Sequence, residues 1–325
     1  MPLLDAHGRI INYLRLSVTD RCNLRCSYCM PETGISKIAH GDILSYEELY
    51  RIARVAVTIG IDKIRITGGE PLVRKGIVRF LHQLAEIPGL EQLVLTTNGT
   101  LLEEMAADLF AAGVQRLNIS LDSLNPETFR QISRCGELNR VLAGIEAAKE
   151  CGFPIKLNMV VMRGVNDHEI PDFVTLATAS GLTVRFIEYM PAIREHNWQQ
   201  LVVPGTEILE RLALHHTLIP LEHADMAGPS RNFRILGAPG TLGVITPVSH
   251  HFCSECNRIR VTASGMTKGC LFAESQLDLK PALRNSTNLP LAQALSTVIG
   301  TKPARHQMSP EECHHQAFSM ASIGG

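Results

Sequence analysis

Nowhere in the 325 residues is there an apolar run long enough to cross a bilayer. The leading stretch "MPLLDAHGRIINYLRLSV" lacks the basic region, apolar run and small-residue cleavage site of a secretory signal. A cytoplasmic protein with no membrane partner is expected, in a compartment that keeps thiols reduced. Neither sign of charge is in excess: 31 Lys and Arg stand against 32 Asp and Glu, for a net charge of −1. That balance excludes a general attraction to nucleic acid or anionic lipid and confines any anion site to a local patch. Internal repeats and low-complexity tracts are missing. With 45% hydrophobic and 19% charged residues, a disordered chain is excluded as well. Nine cysteines without a secretory context point to metal ligands or core residues, not to a disulfide framework.

What is there is an alternation of short β-branched runs with longer amphipathic stretches. Strands are expected at 11–18, 63–67, 92–97, 116–121, 155–161 and 184–189, and helices at 46–59, 73–86, 101–112, 138–151 and 168–179. Ser45 with Glu48 reads as a capping box, and Asn166-Asp167 as the opening of the helix near 168. Six strand–helix repeats imply an α/β fold with a parallel sheet, open or curled toward a barrel. Past about residue 200 the rhythm breaks. The stretch 202–220 suits one more helix, and short β-like pieces with Gly/Pro turns follow. The expected division is a 1–220 core and a 221–325 C-terminal region.

Strands of a parallel sheet buried on both faces should be almost wholly apolar. Here Arg65 and Thr67, Asn118 and Ser120, and Lys156 and Asn158 interrupt three of them at period two, one face each. The pattern predicts a curved sheet with a polar, partly cationic cavity inside. The loops "TGGEP", "TTNG", "SLDS" and "EYMP" follow strands, and in parallel α/β folds ligands sit at that carboxyl end.

The loop after the first strand is short of one ligand. "DRCNLRCSYCMPETG" places Cys22, Cys26 and Cys29 together, and the next cysteine is Cys135. Three thiolates can hold three irons of a cubane cluster and leave the fourth open; zinc completed by His7 or His40 is the competing reading. A second triad, Cys253, Cys256 and Cys270, lies in "HFCSECNRIRVTASGMTKGCLF". There the Cys-x2-Cys spacing, with His250 and His251 adjacent, slightly favours zinc.

The Cys-x3-Cys-x2-Cys spacing after the first strand, Tyr28 and the "GGEP" loop resemble the radical S-adenosylmethionine (SAM) superfamily. "YLRLSVTDRCNLRCSYC", the second triad with "CNRIRVT" and the terminal "IGG" further resemble the GTP 3′,8-cyclases of molybdenum cofactor biosynthesis, over residues 5–325. The resemblance implies a partial (β/α)6 TIM-like barrel of the radical SAM kind, with a smaller C-terminal α+β region closing its mouth. It implies two [4Fe–4S] clusters, on Cys22, Cys26 and Cys29 and on Cys253, Cys256 and Cys270. SAM would lie against Tyr28, Gly69, Ser120 and Met190, its methionine chelating the open iron of the first cluster. Small size at Gly69 is expected to allow close approach to that ligand. GTP would contact Arg15, Arg65, Thr96, Lys156, Arg258, Ile259 and Arg260, its guanine on the second cluster, with the tail glycines Gly324 and Gly325 reaching the site. The implied reaction is a lyase-type cyclisation: a 5′-deoxyadenosyl radical takes the 3′ hydrogen of GTP, and the ribose closes on C8. Implied partners are a one-electron reductant such as flavodoxin, a downstream cyclic pyranopterin monophosphate synthase (MoaC), and a second copy of the chain in a homodimer.

Two rivals follow from the same residues. A peptide-modifying radical SAM enzyme would also carry an auxiliary cluster, and an iron–sulfur electron carrier would normally bring four cysteines per cluster. Cys135, Cys151 and the "CHHQ" segment around Cys313 read as ordinary core or surface residues, and 191–200 carries no assigned role.

Overall fold

β-branched runs and amphipathic stretches become the expected elements. In a computed structural model, which describes residues 2–192, 197–222, 228–306, 308 and 320–323, six strands lead: β1 (Tyr13–Ser17), β2 (Lys63–Thr67), β3 (Gln92–Thr97), β4 (Arg116–Ser120), β5 (Ile155–Val161) and β6 (Thr183–Glu188). The connections hold α1 (Tyr46–Thr58), α2 (Ile77–Ala85), α3 (Leu102–Ala111), α4 (Pro126–Ser133), α5 (Leu138–Glu150) and α6 (Ile170–Ser180), with α7 (Gly205–Ala213) after β6. The remainder contributes β7 (Leu218–Pro220), β8 (Arg231–Ile235), β9 (Thr241–Ile245), β10 (Arg258–Val261), β11 (Thr267–Lys268), α8 (Lys280–Leu283), α9 (Leu289–Gly300) and α10 (Met320–Ile323).

All eleven strands form one sheet, ordered β11-β10-β1-β2-β3-β4-β5-β6-β9-β8-β7. The eight from β10 to β9 run parallel; β11 at one end and β8 with β7 at the other run antiparallel. The late strands thus extend both edges of the six-strand core. Laid flat, eight strands would span roughly 34 Å, yet residues from all eight line one cavity of about 560 Å³. The sheet is therefore curled into a partial barrel. Residues 246–257, between β9 and β10, bridge its open side and carry Cys253 and Cys256.

Alternate strand residues divide the two faces. Leu14, Leu16, Ile64, Ile66, Leu95, Leu117 and Ile119 are fully buried against the helices, and at about 25 cal/mol per Å² this outer layer carries most of the fold's stability. The capping box is present: Glu48 N donates to Ser45 Oγ (3.2 Å) and Ser45 N to Glu48 Oε2 (2.7 Å).

Two local expectations are corrected and one is refined. Residues 71–73 form a 3-10 turn, and α2 begins only at Ile77, after Gly76 in a left-handed conformation (φ 83°). Asn166 does precede the 3-10 turn Asp167–Glu169 that leads into α6, but its side chain does not cap that turn. Its fully buried carboxamide donates to Asp122 O (2.7 Å) and Val160 O (2.9 Å) and accepts from Met162 N (2.7 Å), bracing strand ends beside the cavity. The helix α4, unforeseen between β4 and α5, holds the cysteine loop: Arg25 N donates to Ser133 O (3.1 Å), Ser27 N to Ile132 O (2.9 Å), and Arg134 Nη1 to Met30 O (2.9 Å).

Candidate functional site

The inward face of the partial barrel is charged. In strand register, Arg260, Arg15 and Arg65 sit side by side on β10, β1 and β2, and Arg116 follows one strand beyond Val94. Lys63, Lys156, Arg185 and Arg258 bring the cations lining the cavity to eight, against two carboxylates, Asp122 and Glu222. Like charges on neighbouring strands repel, and burial adds a desolvation penalty. Both effects, burial first, pull Lys63 and Lys156 from 10.5 to about 7 and Arg185 and Arg260 from the ordinary guanidinium range down to about 10. Arg15 and Arg65 are lowered for the same reasons. The Nε atoms of Arg15, Arg65, Arg116 and Arg185, the Asn118 carboxamide and Thr96 Oγ1 are buried without hydrogen-bond partners. Such a surface fits a polyanionic ligand with further polar groups.

At the carboxyl ends of the strands, Cys22, Cys26 and Cys29 open onto this cavity with Tyr28, Gly69, Ser120 and Met190. Gly69 explains how the cysteine loop is placed, for a reason other than the expected one. Gly69 N donates to Thr19 O (2.8 Å) and Glu70 N to Arg21 O (2.8 Å), so two loop backbones touch. A Cβ on Gly69 would stand 2.4 Å from Arg21 O, and one on Gly68 2.6 Å from Thr19 O. The glycines admit the protein's own cysteine loop. Glu70, fully buried, fixes the far side by accepting from Leu72 N (3.0 Å), Thr97 Oγ1 (2.9 Å) and Asn98 N (2.7 Å); burial lifts its pKa to about 7. Tyr28 OH donates to Asp122 Oδ2 (2.7 Å), and Asp122, raised to about 6 by burial, also accepts from Val160 N (2.9 Å). Burial pushes the Cys22 thiol to about 12, and a hydrogen bond with Cys29 together with burial raises Cys26 well above 9. Cys22 and Cys26, both held protonated, and Cys29 beside them match the donors of a metal cluster, whose binding releases thiol protons.

The second triad lies at the opposite end. Cys256 lies two residues before the start of β10, whose Arg258 pairs with Tyr13 at the start of β1, and Arg9 Nη1 donates to Cys253 O (2.7 Å). Cys270 follows β11, antiparallel to β10, and returns to the same level. The two triads therefore face each other through the barrel, separated by about the 15 Å length of a five-residue strand, with the guanidinium rows between. The cysteines of the C-terminal region thus line the amino-terminal end of the barrel. Burial opposes ionisation of Cys256, but Arg258 and Lys302 prevail and draw it down to about 6; Lys302 Nζ stands 3.2 Å from its sulfur. Cys253 and Cys270 line the cavity beside it.

Of the residues foreseen for GTP, Arg15, Arg65, Thr96, Lys156, Arg258 and Arg260 all line the cavity. Ile259 does not: it alternates with its neighbours and is buried in the outer apolar layer. Gly324 and Gly325 lie outside the described residues, although Met320 and Ala321 of α10 line the cavity. Cys313 also lies outside the described residues. Missed from the sequence were Lys63 and Arg116, each two positions from a residue already placed on the inner face, so that extending period two by one step finds them, and Arg185, on a strand where no inner-face residue had been placed. Glu188 was missed too. It accepts from Gly205 N (2.6 Å), Val248 N (3.0 Å) and Ser249 N (3.0 Å), tying β6 to the bridging segment.

A parallel partial barrel with a three-cysteine loop after its first strand defines a radical SAM protein. Residues 16–177 match the Radical SAM superfamily and residues 182–308 Molybdenum Cofactor Synthesis C. The chain is 66% identical over 326 residues to a GTP 3′,8-cyclase of Geobacter sulfurreducens, covering 100% of both. It is 46% identical to one of Syntrophomonas wolfei, over 99% of this chain and 100% of that relative. Streptococcus suis SuiB, solved bound to S-adenosylmethionine, shares the fold at a TM-score of 0.62 and 14% identity, over 86% of this chain and 65% of its own. The chain belongs to the GTP 3′,8-cyclase family. With it come S-adenosylmethionine and an iron–sulfur cluster, the common requirements of the radical SAM superfamily. The peptide-modifying alternative is not favoured, because the full-length relatives are cyclases.

Proposed function

We propose that this chain is a lyase-type radical SAM enzyme that converts GTP to 3′,8-cyclo-7,8-dihydro-GTP for molybdenum cofactor biosynthesis, using two [4Fe–4S] clusters. The observation that carries the reading is the placement of two cysteine triads at opposite ends of one cation-lined cavity. Cys22, Cys26 and Cys29 would hold the first cluster and leave one iron for SAM, bounded by Tyr28, Gly69, Ser120 and Met190. Cys253, Cys256 and Cys270 would hold the second and leave an iron for guanine. The first cluster, when bound and reduced, would supply the electron for reductive cleavage of SAM and so the means to remove the 3′ hydrogen of GTP, with one further electron and a proton needed to complete the dihydro product.

The chain's own residues do the rest. Arg15, Arg65, Arg116, Lys156 and Arg260 neutralise the triphosphate, with guanidinium forks suited to bidentate contact. Lys63 and Arg185 add charge on the same inner face, and Thr96 and Asn118 offer hydrogen bonds to the nucleotide. The apolar outer layer keeps the barrel rigid, so that two ligands entering from opposite ends meet in fixed geometry. The main chain of Ile259 and the segment leading to Gly324 and Gly325 complete the GTP side. Residues 1–220 act as the core and 221–325 as the module for the second cluster. A flavodoxin-like reductant, a downstream cyclic pyranopterin monophosphate synthase, a homodimer and a cytoplasmic location complete the proposal; among the described residues no helix is long and apolar enough to cross a membrane.

The test is anaerobic reconstitution of the full chain. About eight irons per chain are expected from two four-iron sites, with the cyclised nucleotide detected by mass spectrometry. Cys26→Ala should retain about half the iron and make no 5′-deoxyadenosine. Wild-type amounts of 5′-deoxyadenosine from that variant would overturn the assignment.

A further inference from the structure

One group of potential ligands shares a single residue, Cys253, with the second triad. Among the described residues, the donor atoms of His251, Cys253 and His306 lie within 4.8 Å of one another. We propose that they form a site for a single divalent transition-metal ion, which the chain can fill only while Cys253 is free of a cluster.

The spacing suits a single ion. One tetrahedral ion holds sulfur at about 2.3 Å and imidazole nitrogen at about 2.05 Å, so its donors stand roughly 3.5 Å apart. Donors already within 4.8 Å need a closure of about 1 Å to reach that geometry. His251, Cys253 and His306 are therefore near enough to share one ion.

The imidazoles are prepared for this role. His306 Nδ1 is buried without a hydrogen-bond partner, while the Pro247 carbonyl accepts from the ring. With Nδ1 unpartnered, the donating atom is Nε2, which fixes the tautomer whose Nδ1 lone pair is free for a metal. The His306 main-chain N–H donates to the Cys253 sulfur, so ring and thiol move together. His251 lies against the His306 ring at 4.0 Å between centroids, and Phe272 holds it from another side at 4.7 Å. Two imidazoles and one thiolate form a borderline-soft set suited to Zn²⁺, Co²⁺ or Fe²⁺. Cys253 and His306 both line the cavity, which leaves the fourth position to water. Binding forms one metal–sulfur bond, breaks the S–H bond and releases its proton to solvent, with no change of oxidation state. Ion binding stands without the proposed second cluster; the mutual exclusion rests on it.

The probe is Co²⁺ added anaerobically to the metal-free full chain carrying Cys22→Ala, Cys26→Ala and Cys29→Ala, so that the first triad is silent. One Co²⁺ per chain should give thiolate-to-metal absorption and the visible bands of a four-coordinate ion, and Zn²⁺ should displace it. His306→Ala and His251→Ala should each weaken Co²⁺ at least tenfold with unchanged circular dichroism, and Cys270→Ala should leave it bound. If His306→Ala fails to fold, His251→Ala decides, since that half-buried loop residue belongs to no strand or helix. Cobalt held equally well by His251→Ala, or lost in Cys270→Ala, overturns the ion site. In the otherwise wild-type chain, one equivalent of Zn²⁺ should block assembly of the second cluster, and His251→Ala should relieve the block. Equal assembly with and without Zn²⁺, beside an intact Co²⁺ site, would overturn the exclusion and count against the second cluster while leaving the ion site standing.

Discussion

GTP binding should carry protons into the protein. Lys63 and Lys156 are drawn from 10.5 to about 7 by burial and by the surrounding guanidiniums. At pH 8 a group of pKa 7 is only about 9% protonated, since 1/(1 + 10) is about 0.09. A bound triphosphate supplies the missing counter-charge and restores the ordinary pKa, so each lysine takes up about 0.9 proton and the pair at most about 1.8. At pH 6 the same lysines are about 91% charged before binding, and their uptake falls to about 0.2 in total. Calorimetric titrations of GTP at pH 8 in buffers of different ionisation enthalpy measure the number directly. Lys156→Met should roughly halve it. A buffer-independent heat at pH 8 would refute the argument, because it would mean that the lysines are fully charged without ligand. Linkage gives a second check on the sign. Between about pH 7 and 9 the unfolded chain still binds the two lysine protons that the folded chain has lost, so the ligand-free fold should gain stability as pH rises; saturating GTP should remove that gain.

Three further outcomes are expected. Gly69→Ala forces a methyl group to within 2.4 Å of Arg21 O and should displace the cysteine loop, leaving about four irons per chain on the second triad; eight irons would show that the two loops can part without harm. Arg260→Ala should weaken GTP by about 1–3 kcal/mol, the scale of a charge-assisted contact, and leave SAM binding unchanged, whereas equal loss of both ligands in equilibrium dialysis would indicate a folding defect. Deleting Gly324 and Gly325 should lower cyclised product at least tenfold, about 1.4 kcal/mol in barrier, with iron content and melting temperature kept; full turnover would show that the tail takes no part.

The reach of sequence reasoning follows the range of the interactions involved. Six strand–helix repeats, the capping box at Ser45 and the polar face shared by Arg65, Asn118 and Lys156 were legible, because period two and period 3.6 are local properties of the backbone. The cysteine triads were legible as spacing, since each is gathered within one short stretch or a hairpin. Where those pieces meet was decided by tertiary pairing. Parallel pairing of β10 with β1 puts Cys253, Cys256 and Cys270 at the amino-terminal end of the barrel, and nothing within residues 250–270 encodes an alignment with residue 13. The same holds for α4: its short run reads weakly alone, and its service to the cysteine loop depends on hydrogen bonds from Arg25 and Ser27. Gly69 shows the division most directly. Its need for a missing Cβ could be read from the motif, but the atom it must avoid, Arg21 O, is a neighbour only after β1 and β2 have paired. Sequence determined which residues could do chemistry; long-range strand register decided which of them share one cavity, because register is set by the summed packing of the whole sheet.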